Sequence, residues 1–225
     1  MSSKTYPSLN LETELAAGGT RYVLGIDEVG RGALAGPVAV GIAVIDMQNL
    51  NPWPPLLRDS KLISAKVRQE LVAPLSDWVS AYAIGYASAH EIDTLGITKC
   101  LSLSAHRAFE QLSQNTKSEL LKHRSSAILD GSHNWLGALG DIQVKVQTKA
   151  DRDCASVAAA SVLSKVARDE LMIELSEKYS GYAWDENKGY ASPNHISALQ
   201  EFGPVAEHRK TWLSNILGDN KLFDL

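Results

Sequence analysis

Apolar residues recur along this chain with two periods. Short runs of branched apolar residues, closed by polar or glycine-rich turns, predict strands over 21–27, 37–46, 78–87, 127–131 and 141–146. Helical spacing appears between and after them. Ser64 can cap a helix running to about Ser76, with Pro74 expected to kink or shorten it. Ser88 to Glu91 fits a capping box opening a short helix. Leu101, Leu103, Ala105, Ala108, Phe109 and Leu112 place one face of a helix over 98–112. A long helix is expected over 154–179, its small residues first and its charges later, so that its first half can pack closely on a sheet. Residues 1–20 read as a leader or short helix ending at Gly18-Gly19, and Asn51 to Pro55 as a surface loop. Past Gly181 the strand signals stop. The alternation predicts an α/β domain over 1–180 and a small helical C-terminal segment over 181–225.

The first strand delivers Asp27 and Glu28 side by side into the turn Val29-Gly30-Arg31-Gly32. Neighbouring strand residues point to opposite faces, so both carboxylates serve one site only where the pleat ends. Two adjacent negative charges are costly unless a cation joins them, and hard divalent ions prefer carboxylate oxygen. The two glycines allow close backbone approach and positive φ, and exposed N–H groups beside Arg31 suit a phosphate or a hydroxyl. The same residues also make an ordinary acidic turn shaped by glycine, and an isolated pair is more often that.

Repetition shifts the balance. Asp130 ends a second apolar run, and Asp151 sits between a strand and the long helix. In an open α/β sheet, sites gather at strand ends. Four carboxylates without His or Cys form an oxygen-only environment suited to Mg²⁺ or Mn²⁺, and such a cluster can hold two ions for in-line displacement at phosphorus. Taken singly, Asp130 also fits a turn and Asp151 a helix start, with Asp153 competing for the same role. Lys149, Arg152, Lys165, Arg168, Lys188 and His208-Arg209-Lys210 offer charge to a phosphate backbone, although Lys165 and Arg168 individually read as a solvated helix face. Tyr190 can stack on a sugar or base. Trp53, Trp78, Trp135, Trp184 and Trp212 read as core or rim packing.

Composition narrows the class. The 225 residues carry a formal net charge of −4, which argues against coating nucleic acid through bulk charge but not against binding it locally. The two cysteines, Cys100 and Cys154, have no zinc spacing and read as buried thiols. No stretch has membrane-spanning length, and the N-terminus lacks a secretory pattern, so a cytoplasmic protein is expected.

Five segments in order resemble bacterial ribonuclease HII, the type 2 ribonucleases H. They are Asp27-Glu28-Val29-Gly30-Arg31-Gly32, Asp59-Ser60-Lys61-Leu62, Ile128-Leu129-Asp130-Gly131, Lys149-Ala150-Asp151 with Ala158 to Asp169, and Lys188-Gly189-Tyr190. The resemblance spans residues 21–212. It implies a ribonuclease H-like fold, a mixed five-stranded sheet flanked by helices, with the catalytic domain over 1–180. The implied activity is endonucleolytic cleavage of RNA in RNA–DNA hybrids and on the 5′ side of single ribonucleotides in duplex DNA, leaving 3′-hydroxyl and 5′-phosphate ends. Asp27, Glu28, Asp130 and Asp151 would bind two Mg²⁺ or Mn²⁺ ions. Gly30, Arg31 and Gly32 would contact the 2′-hydroxyl and backbone, Lys61 a phosphate, and Tyr190 the deoxyribose after the ribonucleotide. A monomer is expected, with a replication-associated protein partner of unknown identity. Three departures stand out: Ala150 replaces the usual glycine, Asn187 a frequent histidine, and the stretch between Asp130 and Asp151 is longer, with Trp135 and Gly137 marking an enlarged loop.

Three rivals compete. An ATP-handling protein of the actin and sugar-kinase type would share Gly25-Ile26-Asp27 and Gly30, but such proteins need two domain copies. A non-catalytic hybrid binder sits poorly with four carboxylates facing phosphates. A type 3 ribonuclease H normally has an N-terminal substrate-binding domain, for which the residues before the first strand are too few.

Overall fold

A computed structural model describes residues 6–217 of the chain. Strands β1 (Tyr22–Val29), β2 (Val38–Asp46), β3 (Ala81–Ala87), β4 (Ser125–Asp130) and β5 (Gln143–Gln147) form one five-stranded sheet in the order β3-β2-β1-β4-β5. The first three pair antiparallel, while β1–β4 and β4–β5 pair parallel. The expected mixed sheet is therefore present. Its ladders end unequally. β1 stays paired with β2 out to Val29↔Ala39, but its pairing with β4 stops at Ile26↔Leu129. The β4 side opens one residue before Asp27.

Helix α1 (Asn10–Ala17) precedes the sheet, and α2 (Ala65–Trp78) follows β2. The crossover from β3 to β4 holds α3 (Ala89–Leu95), α4 (Ile97–Gln111) and α5 (Gln114–Lys122). Then come the short α6 (Ala150–Asp153), the long α7 (Ala155–Lys178), α8 (Trp184–Asn187), α9 (Pro193–Phe202) and α10 (Ser214–Leu217). The Ser64 cap and the Ser88–Glu91 capping box both form.

Some boundaries differ from expectation. Pro74 does not end α2, because Leu71, Leu75 and Trp78 on either side of it are buried, and this packing outweighs the missing backbone bond. Trp78 consequently ends a helix rather than starting β3. Helix α5 had no sequence signal: it buries only Leu120, so no apolar stripe announces it, and the Ser113 side chain caps it. The tryptophans do pack: Trp78, Trp135 and Trp184 are buried, and Trp53 and Trp212 lie at core margins. Both cysteines are buried and free.

The pleat divides the core into two layers. Leu24 and Ile26, with Val38, Val40, Ile42 and Val44, face α4. Ala43 and Ile45 face α2 and α7, while Val23 and Ile128 meet the start of α7 and the flank of α1. The stretch between β4 and β5 does not hang in solvent, since Trp135, Leu136, Leu139 and Ile142 join the α4-side core. The C-terminal segment builds its own cluster from Tyr182, Trp184, Ala198, Leu199 and Leu213 against Leu34, Ala35 and Met172. It thus leans on the turn after β1. Among the described residues, no helix is long and apolar enough to cross a membrane.

Helix α7 touches the sheet backbone to backbone. A Cβ at Gly25 would collide with the Ser156 carbonyl and the Val157 amide. Gly25→Ala should therefore lower stability by about 1–3 kcal/mol, the usual cost of overpacking. Thermal unfolding measures it, and an unchanged midpoint would show that helix and strand separate freely.

Candidate active site

Asp27 lies on the α7 face of β1 and is 4% exposed. Its Oδ1 accepts the Glu28 N–H at 2.9 Å, and Ser161 of α7 lines the same pocket. Ser161 in turn shares a 2.9 Å bond with Ser60. Glu28 leaves the opposite side of the strand. Its Oε1 meets Arg31 Nη1 at 3.4 Å, while its Oε2 is buried without a hydrogen-bond partner among the described residues. Asp130 ends β4, where its Oδ1 accepts the Ala150 N–H at 2.6 Å. Asp151 is buried and accepts Lys61 Nζ at 3.2 Å. Its rival Asp153 points elsewhere, chelated by Arg152 at 2.7 and 2.9 Å.

These carboxylates sense one another. Burial pushes Asp27 well above the usual carboxylate range; Glu28, Asp130 and Asp151 push it further, and the nearby Ser161 hydroxyl pulls it back in part. Burial also raises Glu28, opposed by Arg31, and raises Asp130 with help from Asp151. Among the described residues, no three carboxylate, histidine or cysteine side chains are gathered tightly enough to close a metal shell as they stand. Their oxygens face Glu28 N–H, Ala150 N–H and Lys61 instead. The donor set still fits a hard divalent cation. It is all oxygen, mutually repelling, and holds one buried acceptor atom with nothing to bond.

The pocket above measures about 450 Å³ and is lined by Asp27, Glu28, the turn Val29–Gly32, Ser60, Lys61, Ser161, Lys165 and Tyr190. A larger apolar pocket of about 560 Å³ lies between Trp53, Pro55, Leu71 and Trp78 and shares none of these residues. Gly30 needs its glycine, since its φ is +79° and a Cβ would strike the Arg168 guanidinium. Gly32 differs from expectation: its φ is ordinary, and a Cβ there would meet nothing within 4 Å. Its value is an open approach to the backbone. Tyr190, 36% exposed, accepts the Gly30 N–H through its hydroxyl at 3.2 Å. Lys165 Nζ and the Arg168 guanidinium lie 5.9 and 5.6 Å from its ring centre.

Several basic residues are not where the sequence reading put them. Arg168 and Arg209 are fully buried rather than solvated, His208 is buried with them, and Lys165 is half-buried in an ion pair with Asp169 at 2.5 Å. Ser161 and Ser60 were not singled out. Their only signal was a hydroxyl inside an otherwise apolar, small-residue helix, and another beside Lys61.

The family model described as Ribonuclease HII matches residues 24–215. The ribonuclease HII of Streptomyces coelicolor is 43% identical over 208 residues, covering 92% of this chain and 83% of that one. That of Thermus thermophilus is 40% identical over 188 residues, covering 84% of each. Among solved structures, the ribonuclease H2 of Pyrococcus horikoshii superposes with a TM-score of 0.63 at 24% identity, covering 87% of this chain and 97% of that one. A ribonuclease HIII solved with Mn²⁺ gives 0.61 at 20% identity, covering 82% of this chain and 64% of that one. These structures establish the ribonuclease H fold.

The carboxylate repulsion has a stability consequence. Asp27 titrates higher in the folded state than in the unfolded one. Stability from this group is therefore full below the ordinary carboxylate range and is lost as pH rises from there through the raised value of the folded state. With EDTA present at neutral pH, Asp27→Asn should unfold at higher temperature than the natural protein, by roughly 2–4 °C per kcal/mol relieved. Mn²⁺ should raise the midpoint of the natural protein more than that of the variant. Equal Mn²⁺ shifts would separate Asp27 from any cation site.

Proposed function

The chain belongs to the ribonuclease HII family, and on that premise we propose that it cuts the RNA strand of RNA–DNA hybrids and nicks duplex DNA 5′ of single ribonucleotides. It is a ribonuclease H, a nuclease that hydrolyses phosphodiesters. One observation carries the finer reading. Asp27 and Glu28, Asp130, and Asp151 come from three separate segments and couple electrostatically beside a turn whose backbone is open to a ligand.

Asp27, Glu28, Asp130 and Asp151 would hold two Mg²⁺ or Mn²⁺ ions, which when bound supply positive charge to the scissile phosphate and make water a stronger nucleophile. The protein's own groups do the rest. Glu28 Oε2 is an acceptor free to take part, and the Ala150 N–H keeps Asp130 aimed. Lys61, its side chain 74% exposed, carries charge outward past Asp151 and suits a phosphate. The Gly30-Arg31-Gly32 backbone would meet the 2′-hydroxyl, the group that separates RNA from DNA. Tyr190 would pack on the following deoxyribose, and its bond to Gly30 couples the two readings. The products would be 3′-hydroxyl and 5′-phosphate ends. The reading places the enzyme in the cytoplasm as a monomer with a replication-associated partner. The segment 213–225 reads either as a helix end or as a docking piece for that partner. Residues Ser214–Leu217 are helical, and 218–225 lie outside the described residues.

The deciding assay is nicking of a DNA duplex that carries one ribonucleotide, with Mg²⁺ or Mn²⁺ and an EDTA control. Metal-dependent nicking on its 5′ side is expected; cutting of long hybrids alone would overturn the junction reading. Asp130→Asn should fold and lose cleavage by roughly a hundredfold or more, as removal of a catalytic electrostatic group does. Full activity would end its metal role. Tyr190→Ala should weaken nicking at single ribonucleotides more than cutting within long hybrids, and equal losses would end its role as junction sensor.

A further inference from the structure

Arg209 and Arg168 are both fully buried, and neither donates to a carboxylate among the described residues. Their charge is met by backbone carbonyls. Arg209 Nη2 donates to Gly30 O at 2.7 Å and Gly36 O at 3.1 Å, Nη1 to Arg31 O at 2.8 Å, and Nε to Gly36 O at 3.2 Å. The Trp212 ring lies 4.9 Å from the guanidinium carbon. The main chain is tied as well: Arg209 N–H donates to Leu34 O at 2.9 Å, and Gly36 N–H to Glu207 O at 2.8 Å. A rigid planar fork thus fixes three peptide groups of the turn after β1.

A trans peptide is planar, so its N–H points opposite to its C=O. The carbonyl of Gly30 shares its plane with the Arg31 N–H, and the carbonyl of Arg31 with the Gly32 N–H. Pulling both carbonyls inward aims both N–H groups outward. Among the described residues, neither of those N–H groups has a protein partner, whereas the neighbouring Gly30 N–H bonds Tyr190. Both residues line the pocket. A cation behind the carbonyls also polarises the peptides and strengthens the N–H donors in front.

We propose that Arg209 is a positioning residue for ribose recognition: it touches no substrate, but its hold on the carbonyls of Gly30 and Arg31 points the Arg31 and Gly32 amides at the 2′-hydroxyl and the adjacent phosphate. This rests on the ribonucleotide reading given above. It also removes Arg209 from the set of phosphate contacts.

The test is Arg209→Lys, which keeps the charge and loses the fork. Asp93→Asn is the gentler second variant. Asp93 anchors the same segment from its far side, accepting Lys210 N–H at 2.8 Å, Thr211 N–H at 3.0 Å and the Thr211 hydroxyl at 2.5 Å. Two readouts are taken. Amide hydrogen exchange should quicken at Arg31, Gly32 and Gly36 while the centre of α7 stays protected. The kcat/KM for a duplex with one ribonucleotide should fall about tenfold or more, while affinity for the same duplex made wholly of DNA stays within about twofold. Asp93→Asn should show both effects in the same direction but smaller, and it carries the test alone if Arg209→Lys does not fold. Equal loss of affinity for both duplexes would make Arg209 a phosphate contact. Exchange accelerated throughout α7 would make it merely structural. Unchanged exchange and nicking would overturn the proposal outright. If the natural protein fails to nick single ribonucleotides, the functional reading falls, and the exchange measurement still decides whether Arg209 holds the turn.

Discussion

The backbone contact between α7 and strands β1 and β2 is the constraint from which the site takes its dimensions. Gly25 and Gly41 carry no side chain, so the helix reaches the sheet at Ser156 and Ala160. Once seated there, the helix presents Ser161, Lys165 and Arg168 along one face, since residues three and four apart are neighbours on a helix. Ser161 and Lys165 line the pocket that holds Asp27, and Arg168 passes under Gly30 to bond the carbonyls of Pro37, Ala35 and Lys188. A shift of α7 by a fraction of a turn would misplace all three together. The apolar small-residue run is therefore a ruler for the polar groups, as well as packing.

The electrostatics are divided in the same way. At the ends of β1 and β4 and the start of α6 stand four carboxylates that repel one another. On the C-terminal side stand two buried guanidinium groups, each satisfied by carbonyl oxygen instead of carboxylate. Burial and mutual repulsion draw Arg209 down to about 9. Charge held this way is costly, because no opposite charge offsets the lost hydration. It does leave a field across the turn, positive behind and negative beside, which a net charge of −4 conceals.

How much of this was legible in the sequence follows the kind of signal each part leaves. The strands and α7 were readable because burial on one or both faces imposes period and composition. The places of Asp27, Glu28, Asp130 and Asp151 at strand and helix ends were readable because each ends an apolar run or opens a helix. The arginines were not. Arg168 looks like part of a charged helical half, and Arg209 like part of a basic cluster, since a burial created by distant carbonyls has no local pattern. Helix α5 was missed for the opposite reason: it buries almost nothing, so propensity and a cap were all that specified it.

Ala150 and Asn187, two of the positions at which the resemblance was incomplete, show how backbone and side chain share the work of holding the site. At Ala150 the chain needs only its N–H, which holds Asp130; the left-handed residue is Lys149, with φ of 60°. Asn187 works through its side chain. Its Oδ1 accepts the Gly189 N–H at 2.8 Å, and its Nδ2 donates to Tyr182 O at 2.8 Å, closing the turn that carries Tyr190. The Tyr190 carbonyl is held in turn by His195 Nδ1 at 2.9 Å. His195 Nε2 faces His208 Nε2 at 3.0 Å and accepts the Trp184 indole N–H at 3.1 Å, an arrangement in which neutral rings are required because a second proton would set donor against donor. Burial keeps both histidines below their ordinary range, His208 at about 3. Position 150 thus contributes a backbone donor that any residue but proline supplies, whereas Asn187 contributes a side-chain acceptor and donor that hold the turn beneath Tyr190.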